Sequence, residues 1–186
     1  FAKDIATPLY LGLATDTGWF KFSNTSADCL RLAARLVESG IDAPAVYEAI
    51  AQQDSPSRPR LLGRALDSLL YFEGESLACM SLTQADFQAV RADPEDTGGY
   101  AEHALAVAGV RAVAVLTEMT QPDARDPLTK VSMRSKPGAE AIDVAALAGK
   151  FGGGGHARAA GIKMSMNIEA ARKAVMAALV SAANAS

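Results

Sequence analysis

Apolar residues recur at helical spacing in the first part of the chain. Leu9, Tyr10 and Leu13 form the first such group, and Gly18 ends it. The segment Asp54–Pro59 is polar and carries two prolines, so it interrupts regular structure. The pattern predicts four helices, at about residues 7–18, 27–39, 42–52 and 60–72. We therefore expect the first part of the chain to be a helical unit.

The pattern changes from about residue 75 onward. Short runs rich in valine, leucine and alanine, such as Arg111–Thr117, are typical of buried strands. Strands are predicted at about residues 77–82, 111–117, 130–134 and 162–166, and helices at about 100–107, 143–151 and 169–183. This alternation predicts an α/β unit with a mostly buried sheet.

The composition is that of a globular protein with no excess of basic charge. The 186 residues are 49% hydrophobic and 21% charged, and the formal net charge is −3. Wholesale binding to a long polyanion is therefore not expected. Two cysteines, no long apolar run and no signal peptide favour a reducing, cytoplasmic location. The first residue is Phe1 rather than Met, which suggests a processed chain or part of a longer one.

The most informative segment is a glycine run followed by histidine, from Phe151 to Gly161. Gly152–Gly155 can bring backbone N–H groups close to an anion, and His156 can donate a hydrogen bond to a phosphate. We expect a helix to start near His156, which would add its N-terminal amides. The alternative is a flexible loop with an exposed histidine. The nucleotide-binding P-loop and dinucleotide motifs do not fit.

Three further residues could take part in a site. Arg134 and Ser135 end a predicted strand, where a guanidinium can pair with phosphate or be an ordinary surface residue. Asp16 lies at a helix end and could bind a hard cation or simply cap a turn. His103 and His156 are the only histidines, so the chain cannot by itself supply the ligands of a two-metal phosphoesterase.

With these residues, the chain resembles the DHH/DHH-associated phosphoesterase family, and more narrowly its nanoRNase and pAp-phosphatase type. LYLGLATDTGWFKFSNTSADCLRLAARLVESGID resembles the closing part of the family's catalytic domain. KVSMRSK and DVAALAGKFGGGGHARAAG resemble the signature of its smaller associated domain. The resemblance covers essentially the whole chain.

The resemblance implies a role for particular residues. Asp16 matches the family's last metal-binding aspartate, and Arg134 with Ser135 matches its nucleotide-contacting strand end. Ser23 and Asn24 match a segment near the cleft. The phosphate-gripping motif is matched by Gly153, Gly154, Gly155 and His156.

The resemblance also implies an organisation and an activity. Residues 1–57 would be the C-terminal part of a DHH catalytic domain, 58–74 a linker helix, and 75–186 a substrate-binding domain with a mixed sheet. The Asp-His-His motif is absent, so no catalytic set is complete and this chain alone is expected to be inactive. The longer enzyme would use two Mn²⁺ or Mg²⁺ ions to hydrolyse short single-stranded oligonucleotides, pAp or dinucleotides such as pApA.

Two other readings remain open at this point. The chain could be a non-catalytic module that binds a nucleotide or phosphate. The apolar helices at residues 27–39 and 60–72 could instead form the contact of a homodimer.

Overall fold

The computed structural model describes residues 2–22, 24–120 and 127–185. The chain divides into two compact units, Phe1–Asp54 and Ser55–Ser186. The predicted boundaries at residues 57 and 74 rest on the resemblance alone and stay a prediction. None of the described helices is long and apolar enough to cross a membrane.

The first unit contains three helices, as the apolar spacing predicts. They are α1 (Lys3–Asp16), α2 (Ala27–Glu38) and α3 (Ala43–Ala51). Polar side chains cap the N-termini of α2 and α3. The Ser26 side chain accepts a hydrogen bond from the N–H of Cys29, and the Asp42 side chain accepts one from the N–H of Ala45. The buried hydrophobic residues in the described part of this unit are Ala6, Tyr10, Ala14, Ala33, Leu36 and Ile41.

The second unit is built on a mixed six-stranded sheet. The strands are β1 (Leu70–Phe72), β2 (Leu77–Leu82), β3 (Ala112–Met119), β4 (Leu128–Ser135), β5 (Gly154–His156) and β6 (Ala159–Met164). Their order across the sheet is β1-β2-β3-β4-β6-β5. Only the β2–β3 pair is parallel among these described strands. The predicted α/β class with a mixed sheet is therefore confirmed.

Helices cover the two faces of the sheet unequally. The helices of this unit are α4 (Ser57–Asp67), α5 (Gln84–Val90), α6 (Tyr100–Leu105), α7 (Val144–Gly149) and α8 (Ile168–Ala183). On one face α7 and α8 pack against β2, β3, β4 and β6. On the other face α4, α5 and α6 form a core with β2 and β3. That second face is therefore left uncovered over much of β4, β6 and β5.

Two sequence predictions fail in this unit. The helix predicted from Arg60 to Phe72 ends at Asp67, and Leu70–Phe72 forms β1 instead, because pairing with β2 outweighs the helical spacing of the leucines. No helix starts near His156, since that residue ends β5 and the chain turns directly into β6. Strand pairing with β4 thus overrides the helix propensity of the alanines after His156.

Candidate functional site

The strand register brings Arg134 and His156 to one side of the sheet. Arg134 pairs with Ala159 of β6, and Ala159 pairs with His156 of β5. Residues directly opposite each other on antiparallel strands project their side chains to the same face. Two strand spacings therefore separate the Cα atoms of Arg134 and His156, or about 10 Å.

Two residues further along each strand, the same face carries only one side chain, that of Ser132. Ser132 of β4 pairs with Gly161, and Gly161 pairs with Gly154. The two glycines carry no side chain, so they leave backbone exposed between Ser132, Arg134 and His156. We call these five residues (Ser132, Arg134, Gly154, His156 and Gly161) the open face.

Two glycines of the run, Gly152 and Gly153, end helix α7. Gly152 takes the left-handed conformation, with φ of +74°. Its N–H donates to the carbonyl of Gly149 at 3.2 Å, and the N–H of Gly153 donates to the carbonyl of Ala148 at 2.9 Å. This pair of bonds is the Schellman arrangement, which satisfies the last carbonyls of a helix.

Close approach to β6 explains the glycines at positions 153 and 155. A Cβ atom at Gly153 would lie 2.3 Å from the carbonyl oxygen of Gly161. At Gly155, which has φ of +146°, it would lie 2.4 Å from the carbonyl oxygen of Ala159. Gly154 differs from both, because a Cβ atom there would meet no atom within 4 Å. Of the three glycines at positions 153–155, only Gly154 therefore leaves room for a ligand at the position of its missing side chain.

Arg134 is half-exposed and borders a cavity. Its Nε lies 3.6 Å from Oε1 of Glu102, and its Nη1 donates to the carbonyl of Met133 at 3.1 Å. The cavity has a volume of about 240 Å³. It is lined by Pro94, Glu95, Thr97, Gly98, Gly99, Tyr100, Ala101, Glu102, Val115, Thr117, Lys130, Ser132 and Arg134. A ligand bound to the open face would have this cavity beside it.

Ser135 projects from the opposite, buried face of β4. Its hydroxyl donates to the carbonyl of Ile142 at 2.7 Å, and Nη1 of Arg158 donates to the same hydroxyl at 3.3 Å. Arg158 also donates to the carbonyl of Ile142 at 2.9 Å. The substrate-binding role of Ser135 stays a prediction, whereas its contacts here hold the turn between β5 and β6.

We expect Ser135→Ala to lower the free energy of unfolding by about 1–2 kcal/mol, because it removes a buried hydrogen-bonding hydroxyl. Urea denaturation followed by circular dichroism measures the change. Ser132→Ala is the matched control, since Ser132 lies on the open face and should change the stability by less than about 0.5 kcal/mol. Equal effects of the two substitutions would contradict a structural role of Ser135.

The predicted residues of the first unit contact each other in part. Asn24 donates from Nδ2 to Oδ2 of Asp16 at 3.1 Å and to the Asp16 carbonyl at 3.2 Å. Ser23 lies outside the described residues. Asp16 and Asn24 are both exposed at the end of α1 and the turn that follows it.

These residues do not amount to a metal site. Within residues 2–22, 24–120 and 127–185, no three His, Cys, Asp or Glu side chains are grouped so that they could hold a metal ion. Asp16 offers a single carboxylate, one oxygen of which already accepts from Asn24. The described residues therefore do not fit a two-metal centre on their own.

The two cysteines are free thiols. Cys79 is buried in β2, and desolvation raises its pKa to about 11. A thiol with a raised pKa is a poor nucleophile and a poor metal ligand. Its surroundings are those of a packed apolar residue.

Sequence reasoning missed Ser132, Glu102 and two lysines on the same side of the sheet, Lys130 and Lys163. A signal for most of them was present, because polar Lys130, Ser132 and Arg134 alternate with buried Val131 and Met133. That alternation assigns the polar residues to one face. The alternation does not show which strand lies beside β4, so it could not predict the position of Lys163.

Residues 80–181 match the DHHA1 domain. This match covers more than half of the chain, which therefore belongs to the DHHA1 domain family of DHH-associated phosphoesterases.

Two known proteins are similar to this chain over nearly its whole length. The chain is 32% identical over 180 residues to the bifunctional oligoribonuclease and PAP phosphatase NrnA of Thermus thermophilus, covering 96% of this chain and 51% of the relative. A solved structure of an exopolyphosphatase-related protein from Bacteroides fragilis superposes with a TM-score of 0.88 at 27% identity. The superposition covers 98% of this chain and 52% of the Bacteroides protein. The chain thus spans about half the length of these relatives.

Proposed function

We propose that this chain is the substrate-binding, C-terminal part of a phosphoesterase that hydrolyses short oligonucleotides, pAp or dinucleotides such as pApA. The observation that carries the proposal is the register that puts Arg134 and His156 on one face, with bare backbone at Gly154 and Gly161 between Ser132 and His156. Membership of the DHHA1 family and similarity to the oligoribonuclease and PAP phosphatase of Thermus thermophilus support the choice of substrate.

Each residue of the open face has a role that its chemistry fits. The Arg134 guanidinium can donate two parallel hydrogen bonds to a terminal phosphate. His156 can donate to the same phosphate from two strands away, and Gly154 lets the ligand approach the backbone closely. The open face would hold one end of a short substrate. Such local binding needs no general excess of basic residues, which agrees with the net charge of −3.

The longer enzyme in this proposal uses two divalent cations, Mn²⁺ or Mg²⁺, with Asp16 as one ligand. The described residues do not hold such a centre, so the remaining ligands would come from an N-terminal DHH segment. This chain alone is then inactive, and its own residues bind and orient the substrate. Hydrolysis of pApA with Mn²⁺ by a protein carrying that segment, but not by this chain, tests the proposal.

A non-catalytic module that binds nucleotide is the second candidate. The open face would serve either function, because it contacts the substrate away from the bond that is cleaved. Failure of the longer protein to hydrolyse pApA, pAp or short oligonucleotides while it still binds them would favour the module.

A homodimer also stays a prediction. Leu30 and Val37 of α2 are 51% and 43% exposed in this structure, which leaves apolar surface on the first unit. Sedimentation velocity of the chain and of the variant Leu30→Gln, Val37→Gln measures whether these exposed residues of α2 hold two copies together.

We expect Gly154→Val to weaken binding of AMP at least tenfold while the fold is kept. A Cβ atom at this position meets no protein atom within 4 Å, so the valine side chain would extend into the space where the ligand would lie. Titration calorimetry in the presence of a metal chelator gives the affinity. Gly63→Val is the control, because Gly63 also has free space and lies on α4. Unchanged affinity in a folded Gly154→Val protein would remove the glycine strand from the site.

A further inference from the structure

Two lysines lie directly opposite each other at the far end of the same sheet face. Lys130 of β4 pairs with Lys163 of β6, and both are exposed. Like charges at directly opposed positions of an antiparallel pair destabilise a sheet. Among the described residues, no carboxylate lies within ion-pair distance of either ammonium group. Within residues 2–22, 24–120 and 127–185, no ion pair therefore offsets the repulsion between these two lysines.

The surroundings of the pair suit an anion. A cavity of about 380 Å³ is lined by Lys130, Val131, Gly152, Gly153, Gly161, Ile162 and Lys163. Three of these residues are glycines, so backbone rather than side chains forms much of its wall. An anion placed between the two ammonium groups would remove their repulsion and form charge-assisted hydrogen bonds with both.

The position of the pair relative to Arg134 indicates which anion. Lys130 precedes Arg134 by four residues on β4, and both side chains face the same way. Four residues of strand span about 13 Å. One nucleotide link is too short to join phosphates at both places, whereas a chain of three or four nucleotides can reach.

We propose that Lys130 and Lys163 bind a second phosphate of an oligonucleotide whose terminal phosphate is held by Arg134 and His156. This inference rests on the proposed function of the open face. It makes the site selective for oligonucleotides of three or more residues over pAp and mononucleotides. The lysines then determine substrate length and do not touch the terminal phosphate.

The test compares two ligands on the double variant Lys130→Gln, Lys163→Gln of this chain. A 5′-phosphorylated tetra-adenylate and AMP are titrated in the presence of a chelator, at several salt concentrations. We expect the affinity for the tetranucleotide to fall about tenfold and that for AMP to change less than twofold. The salt dependence of tetranucleotide binding should decrease by about 0.7 in log–log slope, as expected for one lost phosphate contact on a single strand.

Controls separate this inference from the proposed function. Lys173→Gln changes one charge on α8, which covers the opposite face of the sheet, and should leave the tetranucleotide affinity within twofold. If the wild-type chain binds AMP but the double variant binds the tetranucleotide as wild type does, the lysine site is overturned and the open face stands. If the wild-type chain binds neither ligand, the proposed function fails. Inorganic tripolyphosphate is titrated as a third ligand, and a loss of affinity in the double variant confined to it would overturn the assignment to oligonucleotides.

Discussion

Gly155→Ala is expected to lower the free energy of unfolding by about 3 kcal/mol, through overpacking together with an unfavourable backbone conformation. The new methyl group would lie 2.4 Å from the carbonyl oxygen of Ala159 and 2.7 Å from the Cα of Ala160, at φ of +146°. Both neighbours belong to β6, so neither can move without disturbing the pairing with β4. Urea denaturation followed by circular dichroism measures the loss.

Gly154→Ala provides the matched control for that experiment. The two glycines are adjacent in the same strand, but a Cβ atom at Gly154 meets nothing within 4 Å. Its effect on stability should stay within about 0.5 kcal/mol. Equal stabilities of the two variants would show that β5 does not lie so close to β6 at Gly155.

The second large effect is expected for Arg134→Gln. We expect this substitution to weaken AMP binding by about ten- to a hundredfold, since a hydrogen bond to a charged group contributes about 1.5–3 kcal/mol. The side chain is 38% exposed, so the stability of the chain should change little. Titration calorimetry, with the unfolding curve of the same preparation, separates binding from folding.

Two further variants identify what Arg134 contributes. Arg134→Lys keeps the charge but loses the two-point geometry, and should recover only part of the affinity. Arg172→Gln removes a guanidinium from α8 on the opposite face and should bind AMP as the wild type does. Wild-type affinity in Arg134→Gln would exclude this residue from the site.

Local patterns in the sequence were enough for most of the elements. The predicted strand at residues 77–82 coincides with β2, and the closing helix starts within one residue of α8. Helix α5 was missed, although Thr83 and Asp86 form a capping box that marks its start. The strand β1 was missed because its residues continue a helical leucine pattern and are held by pairing with β2.

The candidate site was harder to derive, because it depends on which strands are neighbours. The sequence indicated an anion-binding glycine segment, and the register does place Gly154 and His156 on the side of Arg134. It could not show that Gly152 and Gly153 close a helix end, since those bonds depend on where α7 stops. Nor could residue type alone show that Ser135 and Arg134, although adjacent, project to opposite faces.

Hydrogen bonds connect both ends of the short helix α7 to the segment from Gly153 to Ala157, which contains β5. The N–H of Val144 donates to the carbonyl of Ala157 at 3.0 Å, and the N–H of Gly153 donates to the carbonyl of Ala148 at 2.9 Å. The segment from Gly153 to Ala157 cannot move away from α7 without breaking both of these hydrogen bonds. A ligand that bound as proposed would meet a surface that is already ordered, so its binding energy would not be spent on immobilising four glycines.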